Sequence, residues 1–261
     1  NIARNDYSIM DEYRKDTSSF GAVVIENGLV QDLVEKSKTF VSHYVNAGLY
    51  CFQPAIFNIL ENLFPSIRGE YELTDAIKIV AQRETMHAEI VRGYWIPVGY
   101  PWHILDATKQ LLERNHSTQV KGTIASTVKI SGLVEVGERT IIEEHGVLQG
   151  NIILGSNCHL GKKCVIRGFA AIGNGTVIKD NSILQNVVIG QSCTIESGCS
   201  ISDSVLGDNI TVSANIRFEN EGNGSNVKVR SNGKVYDSDK EHLGSFVGDN
   251  CNVTRNLTPG E

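Results

Sequence analysis

The side chains able to do chemistry in this 261-residue sequence are scattered, and their spacing narrows what they can do. The six cysteines are Cys51, Cys158, Cys164, Cys193, Cys199 and Cys251, and none forms a C-x-x-C pair. That pattern predicts small buried thiols in a reducing compartment, rather than a metal site or a disulfide framework. His145 and His159 fall within a repeat and read as surface or turn residues, while His242 lies in a lysine-containing loop. Taken alone, the adjacent Glu35 and Lys36 read as a solvated strand end, and Asn46 as a turn residue. The formal net charge is −6 and no Lys/Arg run exceeds two residues. A nucleic-acid surface is therefore not expected, although a local basic pocket for a phosphate is allowed. The sequons at Asn209, Asn223 and Asn252 read as chance matches. No apolar stretch approaches about 18 residues, and the N-terminus lacks a charged region followed by an apolar one. The expectation is a soluble, cytoplasmic protein with no membrane segment.

The elements that must position these residues are clearest in the second half. Aliphatic residues recur every six positions at Ile124, Ile130, Val136, Ile142, Leu148, Leu154, Leu160, Ile166, Ile172 and Ile178. The period then slips back by one to Ile183, Ile189, Ile195 and Ile201, and slips again at Leu206. A helix repeats every 3.6 residues and a strand every two, so a period of six suits short strands joined by turns. Three such units make one triangular coil. Stacked coils bring Ile124, Ile142, Leu160 and Ile178 into one inward column. Ile130, Leu148 and Ile166 make a second, and Val136, Leu154 and Ile172 a third. Glycine or asparagine at 137, 155, 157, 161, 173 and 174 supplies the turns. The additional valines Val128, Val134, Val147, Val165 and Val177 lie off this register; some are expected at secondary inward positions and others on faces between neighbouring prisms. From about Val120 onward the sequence resembles the hexapeptide-repeat family of left-handed β-helices. That resemblance implies a homotrimer with parallel axes.

The first 115 residues carry no such period. Phe20 to Lys36 reads as a β-hairpin turning at Asn27-Gly28. A second strand is expected within Val41–Phe52 and a helix over Pro54–Phe64. Thr74 is expected to cap a helix running through Gln82. A strand near Ile90–Trp95 and a helix over about Trp102–Arg114 complete an α/β order.

Four motifs give this region a likeness. They are Val34-Glu35-Lys36; Asn46-Ala47-Gly48-Leu49-Tyr50; Gly69-Glu70-Tyr71-Glu72-Leu73-Thr74-Asp75-Ala76-Ile77; and Gly93-Tyr94-Trp95-Ile96-Pro97-Val98-Gly99-Tyr100-Pro101-Trp102. In this order they resemble the second half of the sugar-1-phosphate nucleotidylyltransferase catalytic domain. Farther on, Ser204 to Arg217, Asn226-Val227-Lys228-Val229, Asn232-Gly233-Lys234-Val235 and Leu243 to Asn250 resemble the tail of archaeal-type bifunctional nucleotidylyltransferase/acetyltransferases. The implied fold is a partial α/β nucleotidyltransferase domain over 1–115, followed by a left-handed parallel β-helix over 116–261. By the resemblance, Glu35 accepts hydrogen bonds from sugar hydroxyls and Lys36 pairs with the sugar phosphate. Asn46 reads sugar hydroxyls, and Gly48 lets the sugar approach the backbone. Glu70 and Asp75 are read as structural caps. The implied substrates are a nucleoside triphosphate and a sugar-1-phosphate, with Mg2+ in the complete enzyme. Glucose, mannose and N-acetylglucosamine are all compatible with a Glu-Lys-Asn set.

Departures from the family pattern shape the expectation. The glycine-rich nucleotide loop and first metal-binding aspartate do not occur in these residues, and Pro97 stands where a second such aspartate is usual. The sequence starts at Asn1 without methionine and is read as a fragment that would not catalyse nucleotidyl transfer alone. In the tail, Ser197 and Ser200 occupy the positions of the family's catalytic histidine and a tyrosine, while Asn215 and Lys228 match assisting residues. Serine offers no base near neutral pH. The leading expectation is a nucleotidylyltransferase whose β-helix serves assembly or ligand sensing. Two alternatives are a β-helix acetyltransferase using acetyl-CoA on amino-sugar phosphates, and a non-catalytic trimeric scaffold.

Overall fold

The computed structural model describes residues 20–91, 95–114, 118–220, 224–231 and 233–260, together with the backbone of 2–4. The chain divides into two units, Asn1–Pro97 and Val98–Glu261.

The first unit holds a five-stranded sheet in the order β3-β2-β4-β1-β5. Its strands are β1 (Ile2–Arg4), β2 (Gly21–Glu26), β3 (Leu29–Glu35), β4 (Tyr44–Asn46) and β5 (Ile90–Val91). Only the β1–β5 pair is parallel. The β2–β3 hairpin turns at Asn27 (φ 52°) and Gly28 (φ 79°), the doubly positive geometry that favours Asn-Gly. Two helices follow β4, α1 (Ile56–Leu60) and α2 (Leu73–Arg83). Val23, Val30, Leu33 and Ile77 form the buried core between sheet and α2, with Tyr44, Tyr50, Phe52 and Met86 packed around it. The expected Thr74 cap is corrected: Glu72 is the N-cap residue without a side-chain bond, and the buried Thr74 hydroxyl has no hydrogen-bond partner among the described residues. The expected strands and first helix are shorter than read, and residues 92–94 of the expected Ile90–Trp95 strand lie outside the described residues.

The second unit opens with α3 (His103–Glu113). This helix falls within residues 1–115 of the sequence division, and its contacts in the structure are with strands of the β-helix. One face of that β-helix is a seven-stranded parallel sheet of two-residue strands from Thr123–Ile124 to Asn252–Val253. The other two faces share long strands such as Val147–Leu154 and Val165–Ile172, which bend round a corner. The registers bear out the three expected columns. Ile124 pairs with Ile142, then Leu160, Ile178, Ile195, Val212 and Val253. The second runs Ile130, Leu148, Ile166, Leu184, Ile201 and Phe218. The third runs Val136, Leu154, Ile172, Ile189, Leu206 and Val247.

One position is corrected. Ile183 is 45% exposed and its neighbour Leu184 fills the column. The coil loses one residue at the corner opposite Gly168-Phe169, where the pairing jumps from Arg167↔Gln185 to Ala170↔Val187. Coil spacing accordingly falls from 18 to 17 residues. At the same corner a later coil makes a much longer excursion, so that residues stacked across it are 41 apart. That excursion carries a hairpin, Lys228–Ser231 with Lys234–Asp237. Val134 is fully buried, while Val147, Val165 and Val177 are half-buried on the outside.

Cys158 and Cys193 sit at one corner column and Cys164 and Cys199 at another, all four buried as expected, whereas Cys51 and Cys251, also expected to be buried, are exposed. Each of the four buried thiols replaces a Thr or Ser of adjacent coils. Thr140 Oγ1 donates to the Gly155 carbonyl at 2.6 Å and Ser182 Oγ to that of Glu196 at 3.1 Å. The thiols reach the matching carbonyls of Gly173, Gly207, Lys179 and Ser213 at 3.1–3.2 Å. Burial pushes the Cys164 thiol up to about 11. Among the described residues no helix is long and apolar enough to cross a membrane.

Candidate functional site

Three neighbouring strands of the first unit bring the expected residues to one sheet end. Glu35 closes β3, Gly21 pairs with it at the start of β2, and Asn46 closes β4. Gly21 is bare for a reason: a Cβ there would lie 2.9 Å from Glu35 Oε2 and 3.4 Å from Asn46 Cβ. The carboxylate therefore lies across Gly21, beside Asn46. Asn46 Oδ1 accepts a bond from the Gly48 amide at 3.0 Å, and its Nδ2 donates to the Tyr50 hydroxyl. Gly48 has φ 77°, a conformation that suits glycine. Lys36 also has positive φ (47°), and its amide donates to the Phe20 carbonyl at 3.0 Å, which fixes the hairpin end. Trp95 braces the same edge: its Nε1 donates to the Ala47 carbonyl at 3.2 Å, and Phe20 meets its ring edge-on at 5.3 Å.

The electrostatics tie in a second segment. Arg68 Nε donates to Glu72 Oε1 at 2.9 Å, and Ser66 Oγ to the same oxygen at 3.0 Å. These bonds, Arg68's first, hold the Glu72 carboxyl below its ordinary range, and the Lys36 charge adds to the effect. Arg68 also feels Glu35. Burial raises the Tyr50 phenol, the Asn46 bond opposes this, and the Glu35 charge adds to the rise. The structure thus groups Glu35, Asn46 and Gly48 closely, with the exposed Lys36 within electrostatic reach. Tyr50, Arg68 and Glu72 were not singled out in the sequence. Their signal was present, since Tyr50 follows Gly48 by two positions and Arg68 directly precedes the Gly69-Glu70 motif. Glu70 reaches Arg68 at 3.4 Å, and Asp75 sits in the first turn of α2, where an acid suits the helix dipole.

The tail residues have structural employment. Asn215 has φ 61° and holds the left-handed corner position that His145, Lys163, Asn181 and Gly198 hold in earlier coils. Its amide donates to the Ser197 carbonyl at 2.9 Å. Ser200 faces outward, paired in register with Arg217. Lys228 is ion-paired with Asp237 across the hairpin. Among the described residues no hydrogen bond or ion pair joins Asn215 to Lys228. His159 Nε2 lies 2.9 Å from Glu143 Oε1, and His145 is an exposed turn residue. Gly93, Tyr94, Asn223 and Asn232 fall outside the described residues.

Comparison with known proteins places the family boundary after α3, unlike the division of the fold at Pro97. Residues 2–114 match the Nucleotidyl transferase family, and residues 130–238 match the GMPPB C-terminal domain family. A bifunctional protein GlmU from Methanococcus aeolicus is 36% identical over 89% of this chain and 57% of its own length. A bifunctional sugar-1-phosphate nucleotidylyltransferase/acetyltransferase from Sulfurisphaera tokodaii is 30% identical over 92% of this chain and 60% of its own length. The low-salt glycan biosynthesis nucleotidyltransferase Agl11 of Haloferax volcanii is 32% identical over 77% of this chain and 56% of its own length. The chain spans under two thirds of the length of these relatives.

Proposed function

We propose, since the chain belongs to the family of bifunctional sugar-1-phosphate nucleotidylyltransferase/acetyltransferases, that it supplies the sugar-phosphate side of a nucleotidyl-transfer site. In that reaction a phosphate oxygen of the sugar-1-phosphate attacks the α-phosphorus of a nucleoside triphosphate, and pyrophosphate leaves. The observation that carries the reading is the convergence of Glu35, Asn46 and Gly48 on one sheet end, with Lys36 beside them. Glu35 and Asn46 offer acceptors and a donor to sugar hydroxyls, with the amide pre-oriented by Gly48 and Tyr50. Lys36 supplies a positive point charge for the phosphate.

The family generally works with a divalent metal. Among the described residues no group of three or more His, Cys, Asp or Glu could hold one. Glu72 is engaged by Arg68 and Ser66, and Pro97 has no side-chain oxygen. These residues do not fit a Mg2+ site, and no step is routed through the ion.

The reading extends to a homotrimer. Val147, Val165 and Ile183 form an outward apolar column on the second face of the β-helix, in register across three coils. Such a column is covered by a neighbouring prism. It also extends to the cytoplasm, where six free cysteines are stable. The acetyltransferase activity named for relatives is the second reading; acetyl-CoA chemistry would fall to the β-helix, with Asn215 and Lys228 as its contacts.

The test is calorimetric titration of the full-length protein with glucose-1-phosphate, mannose-1-phosphate and N-acetylglucosamine-1-phosphate, paired with pyrophosphate release. One sugar phosphate should bind, and Lys36→Ala should weaken it about 10-fold or more, as expected for a charged hydrogen bond of roughly 1.5–3 kcal/mol. Equal affinity in Lys36→Ala, Glu35→Ala and Asn46→Ala would remove the site.

A further inference from the structure

A cavity of about 620 Å3 lies wholly within the first unit, between its two helices and the chain that leaves β4. Its walls come from coherent faces of three segments. Tyr50 and Phe52 pack with Met86 on the α2 side of the sheet. The two rings stack on each other, with centroids 5.4 Å apart and planes 16° apart. Helix α1 contributes Ile56 and Ile59, three residues apart and so on one face, with Ile56 buried. Helix α2 contributes Val80 and Glu84. They lie on the same stripe as Ile77 and Ala81, which enter the core, so Glu84 sits on the walled side of its helix.

The polar groups set the sign of the occupant. Among the described residues that line the cavity, none is Lys or Arg. No hydrogen bond or ion pair among the described residues engages the Glu84 carboxylate. Glu84 is also the C-cap of α2, the end at which backbone carbonyls gather partial negative charge. The start of α1 offers no opposing donors, because the Ile56 and Phe57 amides are bonded to the Gln53 and Pro54 carbonyls at 3.0 and 3.1 Å. The faces of the two aromatic rings are negative as well, and attract a cation. This set repels sugar phosphates and nucleotides. It is complementary to a positive charge carried on an apolar body, and the volume falls within the range of small-molecule sites, roughly 300–1,000 Å3.

We infer that this cavity binds an organic amine, with its apolar body between α1 and the Tyr50–Phe52 pair and its ammonium at Glu84. The inference makes no use of the Glu35 reading. The test is isothermal titration of the full chain with phenethylamine, beside 2-phenylethanol and phenylacetate as neutral and anionic counterparts of the same body. Phenethylamine should saturate at millimolar concentration, about 10-fold tighter than the alcohol, and phenylacetate should bind weakest. Glu84→Gln should weaken the amine about 3-fold and leave the alcohol unchanged. Phe52→Leu, which keeps the bulk and loses the ring face, should also weaken the amine about 3-fold. Cys51 is exposed and lines the same cavity, so saturating phenethylamine should slow its reaction with a disulfide reagent. Cys251, the exposed thiol of the second unit, should keep its rate and serves as the internal control. Thermal melts of each variant check the fold, and a destabilised Phe52→Leu leaves Glu84→Gln and the Cys51 rate to decide. No saturation at millimolar phenethylamine overturns the inference. So does an alcohol or phenylacetate that binds as tightly as the amine, an amine affinity unchanged in Glu84→Gln, or equal rates at Cys51 with and without the amine.

Discussion

Gly137→Ala should destabilise the β-helix severely although it adds one methyl group. A Cβ at Gly137 would fall 2.5 Å from the Gly155 carbonyl carbon and oxygen and 2.6 Å from the Ser156 amide nitrogen. All three are backbone atoms of the next coil, so no flexible side chain can swing aside. The coils must separate locally, and the nearest bonds across that gap are Gly137 N to Leu154 O at 2.9 Å and Asn157 N to Glu138 O at 2.8 Å. Overpacking typically costs about 1–3 kcal/mol and each lost hydrogen bond about 0.5–1.5, so the total is roughly 2–6 kcal/mol. At about 2–4 °C per kcal/mol for a domain of this size, the melting temperature should fall by roughly 5–20 °C. Far-UV circular dichroism on heating measures it. The control is Gly248→Ala, where an added Cβ meets nothing within 4 Å. If Gly137→Ala melted within 1 °C of the parent, close coil stacking would not be what fixes glycine there.

Other outcomes follow from the same geometry. Tyr50→Phe removes the hydroxyl that holds Asn46, so sugar-phosphate affinity should fall about 3- to 10-fold with the melting temperature nearly unchanged, a net loss of roughly one hydrogen bond; unchanged affinity would make Tyr50 a packing residue only. Thiol titration with a disulfide reagent should count the two exposed cysteines, Cys51 and Cys251, in the native protein and six after denaturation. The Cys164 thiol is raised from 9.0 to about 11, so the folded state keeps a proton that the unfolded state loses. The stability this gives is complete below pH 9 and should be lost as pH rises towards 11, and Cys164→Ala should flatten that slope in urea melts. Sedimentation equilibrium at micromolar concentration should give a trimer that Val165→Glu dissociates; a monomeric parent would count against the outward valine column. Incubation with acetyl-CoA and glucosamine-1-phosphate should release little free thiol, because a serine stands at the base position and general-base catalysis is worth on the order of 10²–10⁴. Robust turnover surviving Ser197→Ala would show another base, with His242 the first to test.

The β-helix was legible because its period is set by a geometry that repeats: up to the long excursion, each inward aliphatic meets its own kind 17 or 18 residues away. The slip at Ile183 was misplaced because Ile183 and Leu184 are both aliphatic, and only the pairing partner distinguishes an inward residue from an outward one. The hairpin turn at Asn27-Gly28 was equally legible, since few residues adopt two successive positive φ angles. Elements of the first unit were harder to bound. Thr74 has the chemistry of a cap, yet it is the second residue of α2, two positions after the N-cap Glu72, where packing and not its hydroxyl decides its place. At the sheet end, Glu35, Asn46 and Gly48 were readable as motif residues. The role of Gly21 was not, because the closeness of its Cα to Glu35 and Asn46 arises from three strands meeting, a non-local fact.

The corner opposite Gly168 has one further meaning. The same bend absorbs a one-residue deletion in one coil and an excursion with a hairpin in another, while the aliphatic columns on either side continue in register. Length at that bend is uncoupled from the stacking that holds the prism together. It is therefore a natural graft point: a lineage, or an engineer, can add or trim segments there and alter what the prism displays without renegotiating its interior.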